Sequence, residues 1–247
     1  MKYIFAAILA AASLGFAKPV AAASVNAADY DAFWLWAGVT PQPVLARARS
    51  LYILQGQVGF SPRDPAARGH LIAQGGATPR LREGNIWIVY RAHTLNWSPR
   101  IYTQILDHLK RWRASGVPVV GIQLDFDART RHLDDYQTFL RGFRQQLPED
   151  CKLSITGLLD WSSHGDSGAL NGLGGVVDEV VLQTYQGRKT IPNYTAYLDS
   201  LARLTIPFKI GLVQNGEWSP PPTLADNPNF RGYVVFLLNA QGRRGRL

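Results

Sequence analysis

The sequence has a single cysteine, Cys151, so the chain cannot form an internal disulfide bond. After its first residues it also has no apolar run of the roughly 20 residues that a membrane-spanning helix needs. It lacks the glycine-rich fingerprint of dinucleotide-binding domains and the Gly-x-Ser-x-Gly turn of serine hydrolases. The fold must therefore be held by its hydrophobic core, and we expect neither a serine triad nor a cofactor.

Metal-binding spacings are missing as well. The five histidines are scattered, and none forms a His-x-His or His-Glu-x-x-His pattern. Asp125 and Asp127 form an Asp-x-Asp pair of the type that suits hard divalent cations, but no further ligand cluster accompanies it. We therefore predict no metal site. His108 and His132 are predicted to lie on helix surfaces.

The first residues have the layout of a secretory signal peptide. Met1 and Lys2 precede an apolar run over residues 3–17, and small residues follow at 21–23. At about 15 residues the run is too short for a spanning helix, so we predict a signal peptide over residues 1–23 rather than a membrane anchor. The protein is then expected to be exported, either periplasmic or secreted, with no membrane span after cleavage.

The formal net charge is +8, and part of the excess lies in a short basic tail, residues 241–247, which contains three arginines. The body has no basic run interleaved with aromatic residues, so a nucleic-acid partner is not expected. An acidic polymer of a cell envelope stays open as a partner.

Eight strand-like segments alternate with helical or short connecting segments. From the fourth segment onward the starts recur about every 25 to 35 residues, as βα units require. We predict an α/β protein with one domain over residues 24–240, a (β/α)₈ TIM barrel, and an open doubly wound sheet is the alternative. The predicted strands cover residues 33–39, 51–58, 86–91, 119–127, 153–159, 177–185, 208–214 and 232–238. Helices are predicted after Ser98 and over 133–146, a short helical piece at 44–49, and a long loop at 60–83.

Residues 119–127 carry the most chemistry. The alternation of strand side chains places Val120, Ile122, Leu124 and Phe126 on one face and Gly121, Gln123, Asp125 and Asp127 on the other. Two carboxylates roughly 6 to 7 Å apart on one face repel each other and are costly to bury, so ordinary core packing does not explain them. Repulsion raises the pKa of at least one, as a general acid requires. Asp127, nearer the barrel mouth, is the predicted acid, and Asp125 the charge-stabilising group. Helix capping, or pairing with Arg129 or Arg131, is the alternative.

The other predicted strands also end in polar and aromatic residues. Active sites of such barrels lie at the carboxyl ends of the strands, and sugars need amide and carboxylate partners for hydroxyls and aromatic rings for their apolar faces. We therefore predict a carbohydrate site. Its predicted substrate-binding residues are Trp36, Gln55, Arg91, Gln123, Asp160, Trp161, Gln183, Gln214 and Trp218. For the two tryptophans at strand ends, Trp161 and Trp218, core packing is an equal alternative.

Two strands resemble a known family. Residues 120–127 resemble the fourth-strand signature of the chitinase-like glycoside hydrolases of family eighteen, Asp-Gly-x-Asp-x-Asp-x-Glu, and residues 180–186 resemble its sixth-strand Met-x-Tyr-Asp element. The resemblance implies that Asp127 is the acid, that Asp125 supports an N-acetyl group of the substrate, and that Tyr185 stabilises the intermediate. It places Gln183 at the family's methionine position.

This sequence differs from the family signature at three positions. It has Asp127 where the family has glutamate, Gln123 in place of the first aspartate, and Gln186 in place of the last. Over most of its length the chain looks like an uncharacterised family of exported bacterial proteins, which implies no activity.

Barrel glycosidases also suggest a second arrangement, in which Glu217 after strand seven is the nucleophile opposite Asp127. The function predicted from the sequence is a glycoside hydrolase that acts on a polysaccharide or envelope glycan by carboxylate acid/base catalysis. The alternative is a barrel without catalysis that binds a glycan or an envelope partner.

Overall fold

Eight parallel strands form a closed barrel. The computed structural model describes residues 22–36, 38–60, 69–74, 84–126, 133–159, 161, 171–198, 201 and 203–239. Each strand pairs with the next, and the last pairs with the first, which closes the barrel. The predicted TIM barrel is confirmed. The strands are β1 (Ala32–Leu35), β2 (Ser50–Gly59), β3 (Asn85–Ala92), β4 (Val119–Asp125), β5 (Lys152–Leu158), β6 (Glu179–Gln183), β7 (Phe208–Val213) and β8 (Phe230–Phe236).

The helices follow from their apolar spacing. In α1 (Pro99–Ala114), Pro99 occupies the first turn and Ile101, Ile105, Leu109 and Trp112 are buried along one face, as the sequence predicts. Gly116 follows with φ +77°, a left-handed conformation that ends a helix at little cost for glycine. In α2 (Leu133–Gln146) the buried face is Leu133, Tyr136, Leu140 and Phe143. A short helix, α3, covers Thr195–Leu198.

Shorter elements lie outside the eight barrel strands, and two of them differ from the predicted helical piece at 44–49 and the predicted loop at 60–83. The expected helical piece at 44–49 is a 3₁₀ helix, Pro43–Arg47, and two more occur at Ala27–Asp29 and Pro222–Leu224. The predicted loop at 60–83 contains a strand, His70–Ala73, which pairs antiparallel with the end of β2. Two further antiparallel pairs join Ala23–Ser24 to Glu217–Trp218, and Tyr185–Gln186 to Lys189–Thr190.

The barrel interior has its own apolar cluster, separate from the core between barrel and helices. Its members are Ala32, Trp34, Tyr52, Leu54, Trp87, Val89, Val181 and Val234. The register between β3 and β4 shifts after Ile86 and Val119, so Val120 packs against this interior cluster. The predicted grouping of Val120 with Ile122 and Leu124, which are in the outer core, is therefore wrong.

An ion pair lies among these interior residues. The Lys209 ammonium is 2.8 Å from a Glu179 oxygen, and the Tyr52 hydroxyl donates to the other Glu179 oxygen at 2.7 Å. Burial, followed by the charge of Glu179 and this hydrogen bond, raises the pKa of Tyr52 well above its ordinary value. Tyr52 therefore acts as a neutral hydrogen-bond donor to Glu179.

The predicted signal peptide and basic tail fall almost wholly outside the described residues, which begin at Ala22 and end at Asn239. Within the described part of the chain, no helix has both the length and the apolar character needed to cross a membrane.

Candidate active-site cavity

A cavity of about 640 Å³ opens at the carboxyl ends of the strands, and we call it the mouth cavity. Residues at or just beyond the ends of β1, β3, β4, β5, β6 and β8 surround it. Five predicted site residues meet there: Trp36, Arg91, Asp125, Gln183 and Tyr185. The remaining lining residues are Leu158, Gln186, Gly187, Ile191 and Phe236.

Asp125 supplies a buried carboxylate to this cavity. Its side chain is 5% exposed, and the Thr156 hydroxyl donates a hydrogen bond to Oδ1 at 2.8 Å. The Arg91 Nε lies 3.7 Å from Oδ2. A positive charge and a hydrogen-bond donor both favour a negatively charged carboxylate. Among the described lining residues Asp125 is the only acid, and its surroundings suit a group that stabilises positive charge rather than one that gives up a proton.

Arg91 also contacts the ring of Trp36. The guanidinium carbon lies 5.3 Å from the Trp36 ring centroid, within the range of a cation–π contact. Trp36 in turn meets Phe236 edge to face, with ring centroids 5.5 Å apart. The indole Nε1 of Trp36 is buried and has no hydrogen-bond partner among the described residues. Trp36 therefore adds to the cavity an aromatic wall and an N–H group whose hydrogen bond is unused.

Tyr185 completes the aromatic wall. Its ring stacks on Phe236 at 5.7 Å between centroids and meets Trp34 edge to face at 6.4 Å. Gln183, two residues earlier at the end of β6, is half-buried and brings an amide to the same cavity. A polar rim on an aromatic wall is the combination that a sugar ring requires.

Gln123 lies on the barrel side of β4 but is fully buried. Its amide oxygen accepts a hydrogen bond from Trp34 Nε1 at 2.6 Å, and its amide nitrogen donates to Ser154 Oγ at 2.9 Å. The side chain does not line the mouth cavity, although the sequence predicts it as a substrate contact. Because Trp34 touches Tyr185, Gln123 acts on the wall of the cavity through Trp34.

Two glutamines that the sequence predicts as substrate contacts, Gln55 and Gln214, form hydrogen bonds outside the mouth cavity. Gln55 lies at an irregularity in β2 between Leu54 and Gly56, is buried, and donates to the backbone oxygen of Leu54. Gln214 exchanges two side-chain hydrogen bonds with Gln42, at 3.1 and 2.9 Å. Neither lines the mouth cavity.

Trp161, Trp218 and Glu217 also lie outside the cavity lining. Trp161 is fully buried and meets Tyr136 edge to face, while Trp218 is buried and stacks on Tyr194 with centroids 5.0 Å apart. For both tryptophans the structure corresponds to the core-packing alternative. Glu217 is exposed and pairs with Ser24 in the short antiparallel sheet, so the arrangement with Glu217 as nucleophile gains no support from the cavity.

Asp127 and Asp160, together with Arg129, Arg131 and His132, lie outside the described residues, so their predicted roles stay predictions. The sequence reasoning missed Thr156, which binds Asp125 directly. It could have been found, because Ser154, Thr156 and Leu158 alternate on the inward face of β5. Within the described chain, no group of three or more potential ligands could hold a metal ion.

His108 differs from its prediction as a surface residue. It is half-buried: Trp112 Nε1 donates to its Nε2 at 3.0 Å, and its Nδ1 is 2.8 Å from the Tyr90 hydroxyl. Burial, followed by the charge of Arg111, lowers the pKa of His108. It is a structural residue of α1 and not part of the cavity.

Comparison with known families gives one match. Residues 92–190 match the model of a domain of unknown function, DUF3142. That family has no known function. The matched stretch contains β4, β5 and β6 and therefore Asp125, Gln183 and Tyr185. The expectation of an uncharacterised family is confirmed over these residues. No curated protein sequence matches the chain.

Comparison with solved structures finds one with the same fold at a TM-score above 0.5, and others with lower scores. The chain is similar to a xylanase and alpha-amylase inhibitor protein, XAIP-II, of Scadoxus multiflorus, with a TM-score of 0.52 at 12% identity over 83% of this chain and 92% of that one. It is also similar to the chitinase domain of the spore coat protein CotE of Clostridium difficile, with a TM-score of 0.49 at 14% identity over 78% of this chain and 66% of that one. The spore cortex-lytic enzyme SleL of Bacillus cereus gives a TM-score of 0.45 at 17% identity over 73% of this chain. The match covers 49% of SleL, so the chain spans about half of its length. At 12% identity, the likeness to XAIP-II concerns the fold alone.

Proposed function

We propose that this protein is an exported glycoside hydrolase that acts on a polysaccharide or envelope glycan at the mouth cavity. The observation that carries the proposal is the meeting of the Asp125 carboxylate with Trp36, Gln183 and Tyr185 at the carboxyl ends of the barrel strands. The position corresponds to the active sites of TIM-barrel enzymes. The mixture of one carboxylate, an amide and aromatic rings corresponds to the chemistry of a sugar.

The proposed reaction breaks a glycosidic C–O bond. Asp127, by its place in the sequence motif, protonates the departing oxygen, and a water adds to the anomeric carbon and returns a proton to the enzyme. Asp125 stabilises the positive charge that develops on the sugar ring, for which its charged form is suited. Tyr185, which lines the same cavity, stabilises the intermediate, as its position in the sequence motif implies, and Gln183 and Arg91 orient the sugar.

The proposal is tested by the release of reducing ends from a panel of polysaccharides, with mass spectrometry of the products. Asp127→Asn, Asp125→Asn and Tyr185→Phe should each reduce turnover by about 100-fold or more, with little change in the melting temperature for Asp127→Asn. Asp107→Asn is the matched control, because Asp107 is an exposed acid of α1 that pairs with the exposed Lys110 and lies outside the mouth cavity. Full activity of Asp127→Asn would remove that residue from the mechanism.

A second candidate is a barrel that binds a glycan without cleaving it. It is favoured by the contacts that Arg91 and Thr156 make with Asp125, the only acid among the described lining residues. It is also favoured by Asp127, which is one methylene shorter than the glutamate of the family eighteen signature. Titration calorimetry on the same panel separates the two. Binding to a glycan that yields no product by mass spectrometry supports the binding protein, and any product from the wild-type chain contradicts it.

A further inference from the structure

A second cavity, of about 960 Å³, lies between the loops that follow β1, β6, β7 and β8. We call it the side cavity. Four of its lining residues are amides, Gln42, Gln214, Asn215 and Asn239, and two are the cations Arg188 and Lys189. No acidic residue is among those that line it in the described chain.

Three of the amides are committed to holding the loops together. Gln42 and Gln214 bond each other, Gln42 also donates to the Leu238 carbonyl oxygen, and Gln214 accepts from the Leu238 N–H. Asn239 accepts from the Thr40 N–H and donates to the Gly38 carbonyl oxygen, both at 2.7 Å. These bonds build a fixed polar surface from three separate loops.

The two cations keep most of their binding capacity. Arg188 uses one N–H group, which donates to the Asn239 carbonyl oxygen at 3.1 Å and orients the guanidinium. An arginine carries five N–H donors, so further donors remain. In the described part of the chain neither Arg188 nor Lys189 forms a salt bridge. The Glu217 backbone, bonded to the Thr190 hydroxyl, lies nearby, but its side chain makes no ion pair with Lys189.

The side cavity adjoins the mouth cavity directly. The two are separated by the turn of the hairpin in which Lys189 pairs with Gln186. Gln186 and Gly187 line the mouth cavity, and Arg188 lines the side cavity. The boundary between the two cavities therefore falls between consecutive residues, whose Cα atoms are about 3.8 Å apart. Gly187 has φ +61°, which other residues rarely adopt, so the turn has a defined shape. The proposal below requires a ligand of two or more sugar units to pass over this turn from one cavity into the other.

We propose that the side cavity binds a carboxylate of an acidic saccharide chain, on a unit next to the sugar held in the mouth cavity. The inference rests on the proposed function and specifies its substrate class as a glycan that carries uronate-type carboxyl groups. The planar guanidinium of Arg188 can bind a carboxylate with two parallel hydrogen bonds, and the Lys189 ammonium supplies a second charge. Neutral glycans leave both cations without a partner.

The test compares matched ligands. Titration calorimetry at 150 mM salt measures the affinity for oligogalacturonates and oligomannuronates and for their methyl esters, which keep the sugar backbone and lose the charge. Dextran and dextran sulfate oligosaccharides form a separate pair for sulfate. The wild-type chain should prefer the free acids to their esters by about tenfold or more. Arg188→Gln/Lys189→Gln should abolish that preference and leave the affinity for the esters unchanged.

Lys110→Gln/Arg203→Gln is the control, because it removes the same net charge from exposed positions outside both cavities and should keep the preference. If the acids and esters bind equally, or if the control loses the preference as well, the inference is overturned. A stronger, Arg188-dependent preference for dextran sulfate overturns the assignment of carboxylate. Binding of no glycan of any kind would overturn the proposed function itself, whereas equal binding of neutral and acidic glycans would leave that function standing.

Discussion

Arg91 and Asp125 occupy paired positions on the neighbouring strands β3 and β4, and their side chains form a salt bridge at the floor of the mouth cavity. The two partners differ in burial, with the arginine 33% exposed and the aspartate 5% exposed. Loss of the arginine therefore leaves a largely buried carboxylate without the Arg91 charge beside it. The same arginine also lies over Trp36, so one side chain ties the carboxylate to the aromatic wall.

Arg91→Leu should lower the free energy of unfolding by about 2 kcal/mol at pH 7, because the buried Asp125 carboxylate loses the nearby charge of Arg91. The double variant Arg91→Leu/Asp125→Asn should recover part of the loss. Urea denaturation of the two variants measures the coupling. Arg113→Leu is the control, since its partner Asp150 is 73% exposed and the expected cost is below about 1 kcal/mol. A double variant no more stable than Arg91→Leu would contradict the explanation.

Lys209→Met should lower the free energy of unfolding by about 3 to 5 kcal/mol, because Glu179 is 9% exposed and would be left charged inside the barrel. Adding Glu179→Gln should restore at least half of the loss. Urea denaturation of the two variants measures the coupling. Lys110→Met, which breaks an exposed pair with Asp107, should change stability by less than about 0.5 kcal/mol. If the double variant were no more stable than Lys209→Met, the unpaired charge would not be the cause.

His108 should make stability depend on pH. Its pKa is lowered in the fold from 6.5, so the unfolded chain takes up a proton more readily. The stability that the neutral ring contributes is complete above pH 6.5 and is lost as pH falls from there toward the folded pKa. Protonation of Nε2 would also break its hydrogen bond from Trp112. The stability difference between the wild-type chain and His108→Gln should therefore shrink between pH 7.5 and pH 5.5 in urea titrations. A difference that grows over this interval would show that the charged ring is the favoured form.

The barrel could be predicted because its signals are local. Each strand is a short apolar run with polar residues beyond it, and the buried face of α1 repeats with helical spacing. The register shift near Val120 and the irregularity at Gln55 have no such signal, because each arises from how two strands fit together.

The site was only partly predictable for a related reason. Asp125, Gln183 and Tyr185 were found because strand ends converge in a barrel. Trp161 and Trp218 follow the same rule in sequence, yet a tryptophan at a strand end can turn either to the mouth or to the core, and both turn to the core. The side cavity could not be predicted from the sequence, because the loops that carry Gln42, Arg188 and Asn239 are far apart in the chain and meet only in the folded structure.

Below the mouth cavity, aromatic rings pack the barrel interior. Tyr52 and Trp87 stack with ring planes 2° apart, and the Trp34 ring lies so close to Gly211 that a Cβ there would be 2.8 Å from it. These rings form the base of the mouth cavity. For protein engineering this separates two tasks: loops can be exchanged to retarget the protein to other molecules, while the aromatic foundation beneath them is left untouched and continues to hold the fold.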